Sequence, residues 1–277
     1  MKRIALLTFV LILGSITSAH AVYTADGILS DWGIDLSVPE SADLGYLETN
    51  TPKGVNADYE TEDISAYGTA NEWYFVGPGW SNPGNTYDVE GLYFDNDAEF
   101  AYIAIVTGLH FNIDGGIADG FFDVGDIFLD TGLYQNTTDT KKYAFGIDVS
   151  SYVASLVPGT AGTADFYGVN DWQGTQIFSD ANPWTIGINN TGAATSIDFA
   201  YSGNQNTHYV MEAKIPLSLL GLSNEEHDIW AHWTMQCGND VLNLKASVNH
   251  VVPEPATMLL FGTGLAGAFL KRKKRTI

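Results

Sequence analysis

Tryptophans and turn-borne carboxylates are the residues of this 277-residue chain best suited to chemistry. Of the seven Trp, three sit in segments broken by Gly, Pro and Asn: Trp80 in Gly77-Pro78-Gly79-Trp80-Ser81-Asn82-Pro83, Trp172 in Asn170-Asp171-Trp172-Gln173-Gly174, and Trp184 after Asn182-Pro183. Such segments leave an indole at the surface. Sugar rings carry apolar C–H faces that stack on it, with nearby polar groups fixing orientation. Trp80, Trp172 and Trp184 are therefore candidate ligand-binding residues. The competing expectation is that each plugs a loop onto the core, since Trp is highly buried on average. Trp32 and Trp233 are expected in the core, and Trp230 shares a polar strand face with His232.

The carboxylates gather in two stretches, Asp95, Asp97 and Glu99, then Asp114 through Asp130. Hard oxygen ligands in turns suit Ca²⁺. Asp95, Asp97, Glu99, Asp126 and Asp130 are the candidate ligands, with plain solvated acidity as the alternative. Asp95-Asn96-Asp97-Ala98-Glu99 lacks the sixth-position Gly and the final Glu of an EF-hand loop. Nucleophilic and zinc chemistry have little to stand on. Neither Gly-x-Ser-x-Gly nor His-Glu-x-x-His occurs. The single Cys237 lacks a basic sequence neighbour to lower its pKa. The chain is expected to be non-enzymatic, although carboxylates are numerous enough to supply an acid/base pair.

Charge is distributed unevenly. The whole chain carries −21. Residues 22–252 hold 32 of the 33 acids, five Lys and no Arg, a net charge of −27. The remaining cations lie at the two ends. A body so acidic repels phosphate backbones, which argues against nucleic-acid binding. It also repels acidic polysaccharide unless Ca²⁺ bridges the two, so a neutral glycan, or an anionic one with calcium, is expected.

The elements that position these residues are short strands. Apolar runs alternate with Gly/Asn/Asp/Pro clusters, and no long 3.6-residue period occurs. Glu99–Thr107 is apolar on both faces. His208–Ile215 alternates, with Tyr209, Met211, Ala213 and Ile215 on one face and Val210, Glu212 and Lys214 on the other. Ile229–Cys237 alternates likewise. Further strands are expected within 125–130, 142–148, 165–170, 184–188 and 196–201, and a single helical turn over Pro216–Gly221. About ten strands imply an all-β chain, a two-layer antiparallel β-sandwich of jelly-roll or immunoglobulin-like type. Residues 46–90 are expected to be a long irregular insertion or edge segment.

Both ends carry processing patterns. Lys2-Arg3, the apolar run Ile4–Gly14 and the small residues Ala19 and Ala21 form a secretory signal, expected as a helix over 1–21 removed after Ala21. At the other end Pro253-Glu254-Pro255 precedes an apolar run to Leu270 and the cluster Lys271-Arg272-Lys273-Lys274-Arg275. From Ala256 to Leu270 a helix is about 22 Å long, short for a permanent span. The basic tail stays cytoplasmic by the positive-inside rule, which leaves the body outside the inner membrane. Gly262-Thr263-Gly264-Leu265-Ala266-Gly267 spells a dinucleotide-type pattern, but the chain ends ten residues later. No βαβ unit can surround it, and small residues allowing close helix approach are the better account.

This order of Pro-Glu-Pro, short apolar helix and basic cluster resembles the PEP-CTERM sorting signal. The resemblance covers residues 252–275. It implies processing by an exosortase that recognises Pro253, Glu254 and Pro255, in an exopolysaccharide-producing Gram-negative bacterium. The precursor is then held at the inner membrane and the product goes to the cell surface or matrix. The body, expected as one domain over 22–251, also bears Asp26-Gly27-x-x-x-Asp31-Trp32, Gly91-Leu92-Tyr93-Phe94-Asp95, Gly125–Asp130 and Glu212-Ala213-Lys214-Ile215-Pro216-Leu217. Their order is similar to carbohydrate-binding module family 9 and DOMON-like sandwiches. That resemblance implies a sugar-binding, or in some branches haem-binding, β-sandwich. The combined expectation is an exported, non-enzymatic glycan-binding module with exopolysaccharide or another glycan as partner. A structural envelope protein without a small ligand, or a polysaccharide-processing enzyme, are the alternatives.

Overall fold

The computed structural model describes residues 23–36, 51–52, 54–59, 89–109, 122–132, 143–153, 161–177, 179–203, 209–222, 226–238 and 240–248. The expected signal helix, the C-terminal helix, Trp80 and the sorting residues Ala19, Ala21, Pro253, Glu254 and Pro255 lie outside these residues. Val22–Asn249 forms one compact unit.

The unit is built from strands whose side chains alternate between an apolar interior and an outer face. They are β1 (Asn56–Asp58), β2 (Val89–Asn96), β3 (Phe100–Thr107), β4 (Ile127–Asp130), β5 (Phe145–Val153) and β6 (Gly162–Gly168). After them come β7 (Trp172–Gln173), β8 (Thr185–Ile186), β9 (Thr195–Gly203), β10 (Tyr209–Pro216), β11 (His227–Thr234) and β12 (Val241–Val248). Ten of them make one antiparallel sheet in the order β1-β2-β3-β10-β9-β6-β5-β4-β11-β12, and β7 and β8 pair separately. The antiparallel all-β expectation holds. A single continuous sheet makes the layers by curling on itself, so that β12 returns against β1 and β2. Side chains join the seam: Asn243 N–H donates to Asp58 Oδ2 at 2.8 Å, and Val89 N–H to Asp240 Oδ2 at 3.3 Å.

The curl encloses Leu92, Phe94, Ile103, Ile105, Met211, Ile215, Phe199, Ile147, Leu129, Trp233 and Leu244, all buried. The alternation expected for β10 and β11 is observed, with Met211, Ala213 and Ile215, and Ile229, Ala231 and Trp233, facing inward. The expected helical turn is a 3-10 turn, Leu217–Leu220, closed by Gly221. Among the described residues of 46–90, Asn56–Asp58 forms a short strand and Val89 opens β2.

A second core lies outside the sheet. Residues 23–36 form a strap across the outer face of β2, β3 and β10, burying Tyr23, Leu29, Trp32 and Ile34 against Tyr93, Tyr102, Val106 and Val210. Tyr23 stacks on Trp32 with ring centroids 4.2 Å apart. This is why β3 is apolar on both faces: one meets the interior, the other the strap.

Candidate functional site

Two carboxylates are wholly buried on the outer face, and each holds down a covering segment. Glu212 of β10 is 2% exposed. Its Oε2 accepts from the backbone N–H groups of Asp26, Gly27 and Ile28 at 3.2, 2.6 and 3.1 Å, and its Oε1 from Trp32 Nε1–H at 2.8 Å. The strap turns tightly at Gly27, where φ is 79° and any Cβ would lie 2.3 Å from Ser202 Oγ. Burial pushes the Glu212 carboxyl up to about 8, against the opposing effect of the Trp32 hydrogen bond.

Asp126 plays the matching part under the β7–β8 ribbon. Its Oδ1 accepts from Val149 N–H at 2.9 Å, and its Oδ2 from Thr185 Oγ1–H at 2.7 Å and Ile186 N–H at 2.8 Å. Burial, with the charge of Asp148, pushes its carboxyl up to about 7. Asp126, a calcium candidate by sequence, lies 3% exposed with its oxygens engaged by the chain. Both oxygens are turned inward because they satisfy N–H groups that burial would otherwise leave unpaired.

The remaining calcium candidates are dispersed. Asp97 closes the β2–β3 turn: Oδ1 accepts from Glu99 N–H and Phe100 N–H at 2.7 and 2.8 Å, and Oδ2 from Tyr102 O–H at 2.7 Å. Burial alone would raise its pKa, but these hydrogen bonds and Lys214 outweigh it, and the carboxyl lies below its ordinary value. Asp95 accepts from Tyr23 O–H at 2.5 Å. Glu99 shares that turn, while Asp130 belongs to β4 and accepts from Gly132 N–H at 2.9 Å. The structure does not bring the five together. Among the described residues no three His, Cys, Asp or Glu side chains are grouped to hold a metal.

The tryptophans divide differently. Trp32 and Trp233 are core residues, 3% and 0% exposed. Trp172 and Trp184 come together on the ribbon, both half-buried. Trp172 pairs with Ile186, and Trp184 N–H donates to Gln173 O at 3.1 Å. The ribbon is docked on the main sheet by Asp126 and by His232, whose Nε2–H donates to Pro183 O at 2.8 Å. The His232 ring stacks on Tyr143 with centroids 5.1 Å apart.

One row further along the same outer face, about 7 Å by strand geometry, the covering stops. Here Trp230 sits between Asp130 of β4 and Lys245 of β12. An open groove of about 410 Å³ is lined by Thr131, Gly132, Glu226, His227, Asp228 and Trp230. Lys245 Nζ lies 4.9 Å above the indole centroid and 2.6 Å from Asp228 Oδ2. Asp228 Oδ1 accepts from Ser247 Oγ–H at 3.2 Å. The Lys245 hydrogen bond comes first in holding the Asp228 carboxyl below its ordinary value. Gly132, with φ 69°, keeps the groove open: a Cβ there would reach the indole at 3.2 Å. Thr131 is 3% exposed, and its hydroxyl is sealed from solvent without a hydrogen-bond partner among the described residues.

Sequence reasoning placed Trp230 on a polar face but did not find its groove. The signal was the Asp130-Thr131-Gly132 turn, which strand pairing carries to the indole. Asp130 is the one calcium candidate that lies beside it. Glu212 was equally hidden, because its polar strand face gave no sign of the strap that covers it.

Comparison with known proteins adds the C-terminal signal. Residues 251–275 match the model of the PEP-CTERM protein-sorting motif. No curated protein and no solved structure matches the chain. The expected likeness of the body to carbohydrate-binding module family 9 and DOMON-like sandwiches finds no support in these comparisons.

Proposed function

We propose that this exported, exosortase-sorted protein acts at the cell surface or in the extracellular matrix as a non-enzymatic glycan-binding module. The sorting motif at 251–275 supports export and exosortase processing. The expected boundaries complete the scheme, with a signal peptide over 1–21, the β body, and a sorting segment from 252 that anchors the precursor in the inner membrane.

The observation that carries the glycan reading is the Trp230 groove. It offers a half-buried indole for a sugar face and the carboxylates of Glu226 and Asp228 for hydroxyls. Trp172 and Trp184 extend the aromatic surface along the same side of the sheet. Binding is favoured over catalysis by the placement of the two buried carboxyls with raised pKa values. Glu212 and Asp126 are sealed from solvent and spent on backbone N–H groups, so neither reaches a substrate as a general acid.

The test is a glycan array and polysaccharide pull-down with the processed protein, with and without Ca²⁺. Binding lost on Trp230→Ala, and weakened by Trp172→Ala or Trp184→Ala, is expected. Binding of an acidic polymer only with Ca²⁺ would assign calcium a bridging role. Absence of binding in either condition leaves the structural envelope role in its place.

A further inference from the structure

We infer that the Trp230 groove is built for a glycan bearing free, protonated amino groups, and that Lys245 occupies it as an internal stand-in for the ligand's ammonium. The inference rests on the glycan reading above and specifies the class of sugar.

An ammonium is favoured where an aromatic face and a carboxylate converge. The groove supplies both, and the chain's own Lys245 shows the arrangement, over the Trp230 ring and against Asp228. The Lys245 side chain is 56% exposed, so water can replace its contacts and a ligand amine can compete for them. Glu226 in the groove and Asp130 beside Trp230 are two further carboxylates. Among the described residues Lys245 is the one lysine paired with this set, against three carboxylates, so the local charge is negative. The body's −27 adds a long-range field that draws polycations and repels uronates, sulfates and phosphates. The ammonium site alone would suit any amine. The groove narrows it: the half-buried Trp230 indole and the carboxylates of Glu226 and Asp228 suit an amine carried on a ring that has both an apolar face and hydroxyls. An amino sugar brings ammonium, hydroxyls and an apolar ring face on one scaffold.

The experiment is calorimetric titration of the processed protein with glucosamine oligomers, their N-acetylated counterparts and a polyuronate, in mildly acidic buffer. Glucosamine oligomers are expected to bind at least about tenfold more tightly than the acetylated ones, given the lost ammonium contacts. Lys245→Gln is expected to strengthen glucosamine binding about three- to tenfold by removing the competitor, and to leave the acetylated oligomers unchanged. Equal binding of both oligomers, or weaker glucosamine binding by Lys245→Gln, overturns the inference and leaves the glycan reading standing. Failure of every glycan, with no response to Trp230→Ala, removes both readings.

Discussion

The two covered regions of the outer face use one device to different ends. On β2-β3-β10, Glu212 gathers three backbone N–H groups and an indole N–H, and the strap closes the face completely. On β4-β5-β11, Asp126 gathers two N–H groups and a hydroxyl, and the ribbon it holds stops at the row of His232. The next row is left open, with Trp230 at its centre. A buried carboxylate that is fully hydrogen-bonded behaves as a pin for irregular chain. What remains uncovered beyond the pin is where a ligand can reach the sheet.

The comparison breaks most visibly at Glu212. Glu212→Ala leaves two buried and two partly buried donors without an acceptor and is expected to cost about 3–4 kcal/mol. Chemical denaturation measures it, and hydrogen exchange should show residues 23–36 opening. A cost near that of a surface substitution would mean the strap is held by its apolar contacts alone. Asp126→Ala removes a smaller set and is expected to cost about 2–3 kcal/mol. Here the exchange increase should fall on 172–187 and spare the strap.

Acidity distinguishes the pins from ordinary carboxylates. Glu212 titrates near 8 in the folded protein against 4.5 for the free group, and Asp126 near 7 against 3.8. Between those values the folded state binds more protons than the unfolded one, so stability falls as pH rises. Stability is therefore expected to increase on acidification from about pH 8 toward pH 4.5. Glu212→Gln should flatten that slope, and an unchanged slope would assign it to general charge repulsion. The smallest effect is expected at the open row. Trp230→Ala should change stability by no more than about 1 kcal/mol, whereas Trp32→Ala should cost about 3–5 kcal/mol. Comparable losses at both would make Trp230 a packing residue.

The interior was legible because period-two alternation needs only local sequence. His208–Ile215 and Ile229–Cys237 announce which residues face the core, and β10 and β11 obey. Val241–Val248 alternates too, yet Asn243, Lys245, Ala246 and Ser247 dilute its apolar signal, and the strand went unread. Glu212 illustrates what local pattern cannot hold. Its partners lie some 180 residues earlier in the chain, and only folding brings them together. The same applies to the groove, whose walls come from the turn after β4 and the start of β11. Trp172 and Trp184 were recognised as neighbours in kind but not in space. Asp126 looked like surface acidity because sequence shows the carboxylate and not the N–H groups it answers.

The seam between β12 and β1 bears on solubility after export. An open ten-stranded sheet would offer two rows of unpaired N–H and C=O groups, each a template for another copy. Curling β12 back against β1 and β2 covers those rows and sets Asp58 and Asp240 along the join. An exported protein, beyond the reach of cytoplasmic chaperones, is thereby guarded against edge-to-edge pairing with its own copies.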